Sequence, residues 1–180
     1  MVQRTTLARP EFRFELRPYE RSCIPELYEA AIESREEVSP WMAWLHANYQ
    51  RKESEGWVER CIAKWDDQSE FEFIIYDHQD GRIVGSSGLT NINKKDMVCN
   101  LGYWVRTSKT RLGAATQASL LLKEFGLKTL GLNRLEILVA EGNHSSRRVA
   151  EKTGAIYEGL QRRRIRVADK VYDAHMYVFV

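Results

Sequence analysis

The sequence predicts a mixed α/β domain, a twisted central sheet with helices on both faces. Three observations lead there. Several segments alternate apolar and polar residues with the period of a strand, others return apolar residues every three or four positions as a helix does, and Val98 to Ala140 reads strand, helix, strand. In that last unit the two strands most simply lie parallel through a right-handed crossover. The 180 residues suit a single domain, 1–180.

Phe12, Phe14 and Leu16 alternate with Arg13, Glu15 and Arg17, a first strand that Pro18 stops. Ile24, Leu27, Ala30 and Ala31 mark an amphipathic helix from Ile24 to Val38, ending near Ser39-Pro40. A second helix covers about Glu53 to Trp65. Phe71 to Tyr76 forms a strand, Asp80-Gly81 a turn, and Arg82 to Thr90 its hairpin partner. After the polar turn Asn91 to Asp96 comes a third antiparallel strand, Val98 to Val105. A helix from about Leu112 to Leu130 follows, stopped by Gly131, and then the strand Arg134 to Ala140. The last helix runs from Asn143 or His144 to Gly154, and two strands, Ile156 to Ile165 and Val171 to Phe179, turn at Ala168-Asp169-Lys170. The order is β-α-α-β-β-β-α-β-α-β-β.

Twenty-seven basic and 25 acidic residues leave a net charge of +2, so the molecule as a whole is no polyanion binder. Cys23, Cys61 and Cys99 are odd in number, widely spaced and without a C-x-x-C pair, which argues against a disulfide framework or a metal site. A reducing cytoplasm is the expected location. No stretch approaches the roughly 18 apolar residues of a membrane span, and no membrane partner is expected.

The stretch around which the rest is organised is Gly102 to Ala118, a strand, a polar turn and a helix opening on the small residues Gly113, Ala114 and Ala115. Backbone N–H groups at such an opening are uncovered and lack partners inside the helix, so an anion can approach them. A glycine placed there only for tight packing is the alternative. The segments Gly102-Tyr103-Trp104, Ala115-Thr116-Gln117-Ala118, Asn143 to Gly154 (N-H-S-S-R-R-V-A-E-K-T-G) and Glu158-Gly159-Leu160-Gln161-Arg162 together resemble the GNAT superfamily of N-acetyltransferases. They are most similar to its RimJ/RimL-like branch, which acetylates protein N-termini, including those of ribosomal proteins.

That resemblance implies acetyl-CoA as the cofactor, with its pyrophosphate on the amides of Arg111, Leu112, Gly113, Ala114, Ala115 and Thr116. It implies a pantetheine arm between two splayed parallel strands, and a thioester carbonyl polarised by a backbone N–H near Trp104, Val105 or Arg106. Thr110 stands where the family's turn carries Gln or Arg, and Arg111 is adjacent. Asn143 would contact the pantetheine and Ser146 would donate to the departing thiolate, a step many relatives give to a tyrosine of that helix. As a bare sequence, Asn143 is equally a helix N-cap and Ser146 a first-turn serine. The acceptor cleft is expected to include Trp41, Trp44, Glu72 and Asn100, although the two tryptophans would also serve as a plug at the end of the core.

Asn100 occupies the place where relatives often carry a glutamate base, and Glu72, Glu37 and His46 are left as candidates that spacing does not separate. Glu158 reads as a strand carboxylate paired with a nearby arginine, while His144 and His175 show no partners in the sequence. Arg162, Arg163, Arg164 and Arg166 form a basic run on one strand, either a solvated edge or a ribosome-facing patch. The expected activity is acetyl transfer to a primary amine, foremost a protein or peptide N-terminal α-amine. Small amines or antibiotics, or a non-catalytic acyl-CoA sensor, are the alternatives. A homodimer is compatible with the sequence, and no motif specifies one.

Overall fold

The computed structural model describes residues 2–180, and its elements follow the predicted order. They are β1 (Phe14–Pro18), α1 (Ile24–Glu33), α2 (Arg35–Val38), α3 (Arg51–Asp66), β2 (Phe71–Asp77), β3 (Arg82–Asn93), β4 (Val98–Val105), α4 (Ala114–Glu124), β5 (Arg134–Ala140), α5 (His144–Lys152), β6 (Ile156–Val167) and β7 (Lys170–Phe179). The seven strands form one sheet in the order β1-β2-β3-β4-β5-β7-β6. All neighbours are antiparallel except β4 and β5, the parallel pair expected from the intervening helix.

Alternation along the strands divides the molecule into two layers. Phe71, Phe73, Ile75, Leu89 and Leu101 turn toward α4, where Ala118, Leu121 and Leu122 complete the main core. Ile74 and Ile83 turn the other way and pack beneath Leu27 of α1 with Val58 and Cys61 of α3. Burying each large apolar side chain contributes about 1.5–3 kcal/mol, so both faces of the sheet must be covered.

Two helices differ from their sequence pattern for identifiable reasons. The predicted helix from Ile24 to Val38 breaks at Ser34, which is wholly buried; its hydroxyl donates to the Ala30 carbonyl at 2.7 Å and accepts the Thr107 N–H at 3.0 Å. The break ties the first helices to the turn after β4. The predicted start at Leu112 moves to Ala114, because Arg111 and Gly113 take positive φ values of 66° and 89°. The last turn of this helix, Phe125–Thr129, widens to π geometry, with the Leu130 N–H on the Phe125 carbonyl, and Gly131 at φ 67° ends it as predicted.

Candidate active site

β4 and β5 are paired only from Val98↔Arg134 to Asn100↔Glu136. Beyond Asn100 they separate, and the gap opens into a groove of about 730 Å³. One wall carries Tyr103, Trp104 and Val105, the other Asn143, Ser146 and Val149, and the opening of α4 closes one end. Arg106 donates its N–H to the Val84 carbonyl at 2.8 Å. Alternation along the strand therefore turns the Val105 N–H toward the open side.

At the opening of α4 the N–H groups of Arg111 through Thr116 have no acceptor among the described residues. A left-handed Gly113 starts the helix, and a Cβ built on it meets nothing within 4 Å, so the position is glycine for its backbone angle and not for crowding. Lys109, Arg111, His144, Arg148 and Lys152 line the same groove. Free amides at a helix N-terminus beside Arg111, Arg148 and Lys152 suit a polyphosphate. The groove thus fits coenzyme A in its chemistry: Arg111, Gly113, Ala114, Ala115 and Thr116 would hold the pyrophosphate, and Trp104, Val105, Asn143 and Ser146 would flank the arm.

Two residues expected at the cofactor through their backbone amides turn their side chains elsewhere. The Leu112 side chain is exposed and outside the groove lining. Arg106 is buried in an ion pair with Glu33, with Nε at 3.0 Å from the carboxylate, so its side chain anchors α1 and does not reach the groove. Asn143 caps α5, its Oδ1 accepting the Ser146 N–H at 3.1 Å. Its side chain also lines the groove, so the cap and the groove wall are one residue.

Ser146 meets a partner that sequence reading did not supply. Its hydroxyl lies 3.0 Å from the Tyr103 hydroxyl, which donates to the Ser146 carbonyl at 3.1 Å. Burial pushes the Tyr103 phenol up to about 12, so it stays protonated and able to donate at neutral pH. The tyrosine comes from β4, not from the helix in which the family pattern would place one.

On the other side of Tyr103 and Trp104 lies a second chamber of about 330 Å³, enclosed by the α1 and α3 layer. Its walls are largely aromatic, with Tyr19, Trp44, Tyr49 and Trp57 facing Trp104. The Trp44 and Trp104 rings lie 5.5 Å apart. The chamber and the groove share Met42, Tyr103 and Trp104, so the two spaces meet beside the Tyr103–Ser146 pair.

Of the four residues expected in the acceptor cleft, Trp44 and Glu72 line this chamber. Trp41 lines the groove instead, its ring 6.1 Å from that of Tyr172. Asn100 lines neither space; it sits in the closed part of the β4–β5 pairing and reaches Thr90. Among the other candidate bases, His46 lines the chamber bonded to Glu53 at 2.8 Å, and Glu37 lines the groove and accepts from Thr107 at 2.9 Å.

The remaining motif residues are accounted for by local structure. Glu158 pairs with Arg134, 2.5 Å away on β5, and His175 bonds Tyr157 at 3.1 Å. Arg162, Arg163, Arg164 and Arg166 are exposed on the edge strand β6. No helix among the described residues is long and apolar enough to cross a membrane.

Comparison with known proteins agrees with this geometry. The family model described as an acetyltransferase (GNAT) domain matches residues 13–156. YdaF of Bacillus subtilis strain 168, named for ribosomal N-acetyltransferase activity, is 34% identical over 83 residues, covering 46% of this chain and 45% of that relative's length. RimL, the ribosomal L7/L12 α-N-protein acetyltransferase solved with coenzyme A, superimposes with a TM-score of 0.88 over 98% of both chains at 18% identity. The microcin C7 self-immunity acetyltransferase MccE, solved with acetyl-CoA and AMP, gives 0.86 over 93% of this chain and 92% of its own at 20% identity. At those identities the two structures speak for the fold.

Proposed function

We propose that this chain, which belongs to the GNAT acetyltransferase family, transfers an acetyl group from acetyl-CoA to a primary amine, foremost the α-amine of a protein or peptide N-terminus. The observation that carries this reading is the meeting of the two spaces. A groove with a polyphosphate-binding end and a largely aromatic chamber touch only where Met42, Tyr103 and Trp104 line both. A donor in one and an acceptor in the other would be brought together there.

When bound, acetyl-CoA supplies the acetyl thioester that the amine attacks. The chain's own groups hold the reactants and move protons. Val105 offers a backbone N–H to the developing oxyanion, a role worth about 3–4 kcal/mol where such donors have been removed. Ser146, hydrogen-bonded to Tyr103, presents a hydroxyl for proton donation at the sulfur side, and Asn143 fixes the first turn of α5 on which Ser146 stands. Proton transfer by a positioned group contributes about 100- to 10,000-fold.

The protein acceptor is favoured by the likeness to YdaF and to RimL, whose names give ribosomal proteins as acceptors. We place the reaction in a reducing cytoplasm, in keeping with three buried free cysteines. The test is thiol release from acetyl-CoA with free and N-terminally blocked peptides and with small amines, alongside calorimetric binding of coenzyme A. Turnover is expected with free N-termini and not with blocked ones. Turnover confined to small amines would reassign the acceptor, and cofactor binding without any turnover would remove the enzyme.

A further inference from the structure

The floor of the aromatic chamber holds a carboxylate with nothing to neutralise it. Glu72, on β2, is nine-tenths buried, lines the chamber and has no hydrogen-bond or ion-pair partner among the described residues. Its position is built. Glu72 stands directly opposite Gly88 on β3, and Gly88 directly opposite Gly102 on β4. A Cβ on Gly88 would lie 2.2 Å from Glu72 Oε2, so the carboxylate occupies the space that this glycine leaves. Beside it the Tyr19 hydroxyl is also buried without a partner.

We propose that Glu72 is the acid–base residue on the acceptor side: in the chamber its carboxylate receives the ammonium of an acceptor whose body is apolar and about one residue in size, and takes one of its protons. This rests on the acetyltransferase reading above. An unpaired buried carboxylate is costly unless a cation completes it. The surrounding faces of Tyr19, Trp44, Trp57 and Trp104 favour both an ammonium and an apolar side chain. At about 330 Å³ the chamber is at the small end of the roughly 300–1,000 Å³ range of ligand sites. It suits the first residue of a chain, the remainder leaving through the opening.

The proton balance closes. Glu72 takes one proton from R–NH3⁺, the neutral nitrogen forms the N–C bond as the C–S bond breaks, and the second nitrogen proton matches the one delivered to sulfur from the Ser146–Tyr103 side. Glu72 then returns its proton to solvent. The net reaction yields the amide, the free thiol and one H⁺.

The electrostatic surroundings suit this work. Burial pushes the Glu72 carboxyl up to about 7, with Glu70 adding to the rise and Arg60 opposing it. Arg60 is itself paired with Glu70 at 2.5 Å. Tyr19 and Cys61 are both held protonated by burial, and His46, Glu53, Tyr49 and Tyr103 complete the titratable lining. An α-ammonium ordinarily titrates near 7.7–8.0 and a lysine ammonium near 10.4, so transfer to a group near 7 favours the α-amine by roughly a hundredfold or more.

The experiment compares wild type, Glu72→Gln and Gly88→Ala using tripeptide amides X-Ala-Ala with X as Gly, Ser, Met or Phe. Activity is read as kcat/KM against pH, and binding as calorimetry of each peptide to the complex with coenzyme A. Wild type is expected to show a rising limb near pH 7 and to prefer Met and Phe over Gly by about tenfold. Glu72→Gln should lose about 100-fold or more in kcat/KM, together with that limb and most peptide affinity, while keeping its affinity for coenzyme A. Gly88→Ala, which displaces the carboxylate, should change the same quantities in the same direction. An unchanged pH profile and unchanged peptide affinity in Glu72→Gln would overturn the assignment. If wild type turns over no amine, the acetyltransferase reading fails. Peptide affinity then decides the chamber alone: loss in Glu72→Gln keeps it as an ammonium site, and no loss removes it.

Discussion

Replacing Glu72 with Gln should make the protein more stable at alkaline pH while making it a worse enzyme. Folding moves this carboxyl from an ordinary 4.5 to about 7, chiefly because burial disfavours the charged form. The sign follows from proton binding. Between those two values the folded chain holds a proton that the unfolded chain has released, so stability falls as pH rises through the window. Well below 4.5 both states are protonated and there is no cost; above 7 both are ionised and the cost is complete. At about 1.4 kcal/mol per pH unit the full cost is roughly 3 kcal/mol, of which about 2.5 kcal/mol develops between pH 5 and pH 8.5. Gln does not titrate, so the stability difference between variant and wild type should move in favour of the variant by that amount over this range. Urea unfolding at the two pH values measures it directly, and melting temperatures should diverge by a further 5–10 °C or so at the higher pH. A difference that stays within about 0.5 kcal/mol at both pH values would mean that Glu72 titrates as an ordinary exposed carboxylate. The chamber would then hold no destabilising acid for its chemistry.

Three further outcomes follow from the same geometry. Gly113→Glu forces a side chain into left-handed backbone, at about 1–3 kcal/mol, and puts a carboxylate among the amides of the α4 opening. Calorimetry should find coenzyme A binding abolished in a folded protein, and unchanged affinity would remove the polyphosphate site. Ser146→Ala and Tyr103→Phe should each lower kcat by about 10- to 100-fold with little change in coenzyme A affinity. Because the two hydroxyls are bonded to each other, the double variant should lose much less than the product of the singles; full additivity in single-turnover rates would show that they act apart. Trp44→Ala opens one wall of the chamber and should raise the acceptor KM, leaving the KM for acetyl-CoA unchanged; steady-state kinetics against both substrates separates the two effects.

Much of the fold was legible because local pattern and tertiary role agree. Val98–Val105 and Arg134–Ala140 are strands at the predicted bounds, and Gly131 ends its helix where its left-handed angle is needed. The break at Ser34 was hidden, since the partner that captures its hydroxyl lies 73 residues away in the turn after β4. The cofactor groove could be read from short motifs because backbone amides at one helix opening do most of the work. Of the chamber only Trp44 and Glu72 could be read, because Tyr19, Trp57 and Trp104 converge on them from separate elements with no common spacing. Tyr103 reads in the sequence as an ordinary strand aromatic, and only the approach of α5 brings it to Ser146. Glu72 lines the chamber as expected of the acceptor cleft, but its burial was not legible. Between Phe71 and Phe73 it looks like the solvent face of an alternating strand, whereas α1 and α3 cover that face and turn a routine polar position into a buried one.

In the proposed reaction the chamber presents an N-terminal α-amine to the thioester groove. One peptide carrying both a free α-amine and a lysine, incubated with acetyl-CoA and the enzyme and sequenced by tandem mass spectrometry, reads out which nitrogen is presented. A single acetyl group on the α-nitrogen is expected, with thiol released in equal amount. Acetylation of the lysine nitrogen alone, or an unmodified peptide from an enzyme that binds coenzyme A, would contradict it.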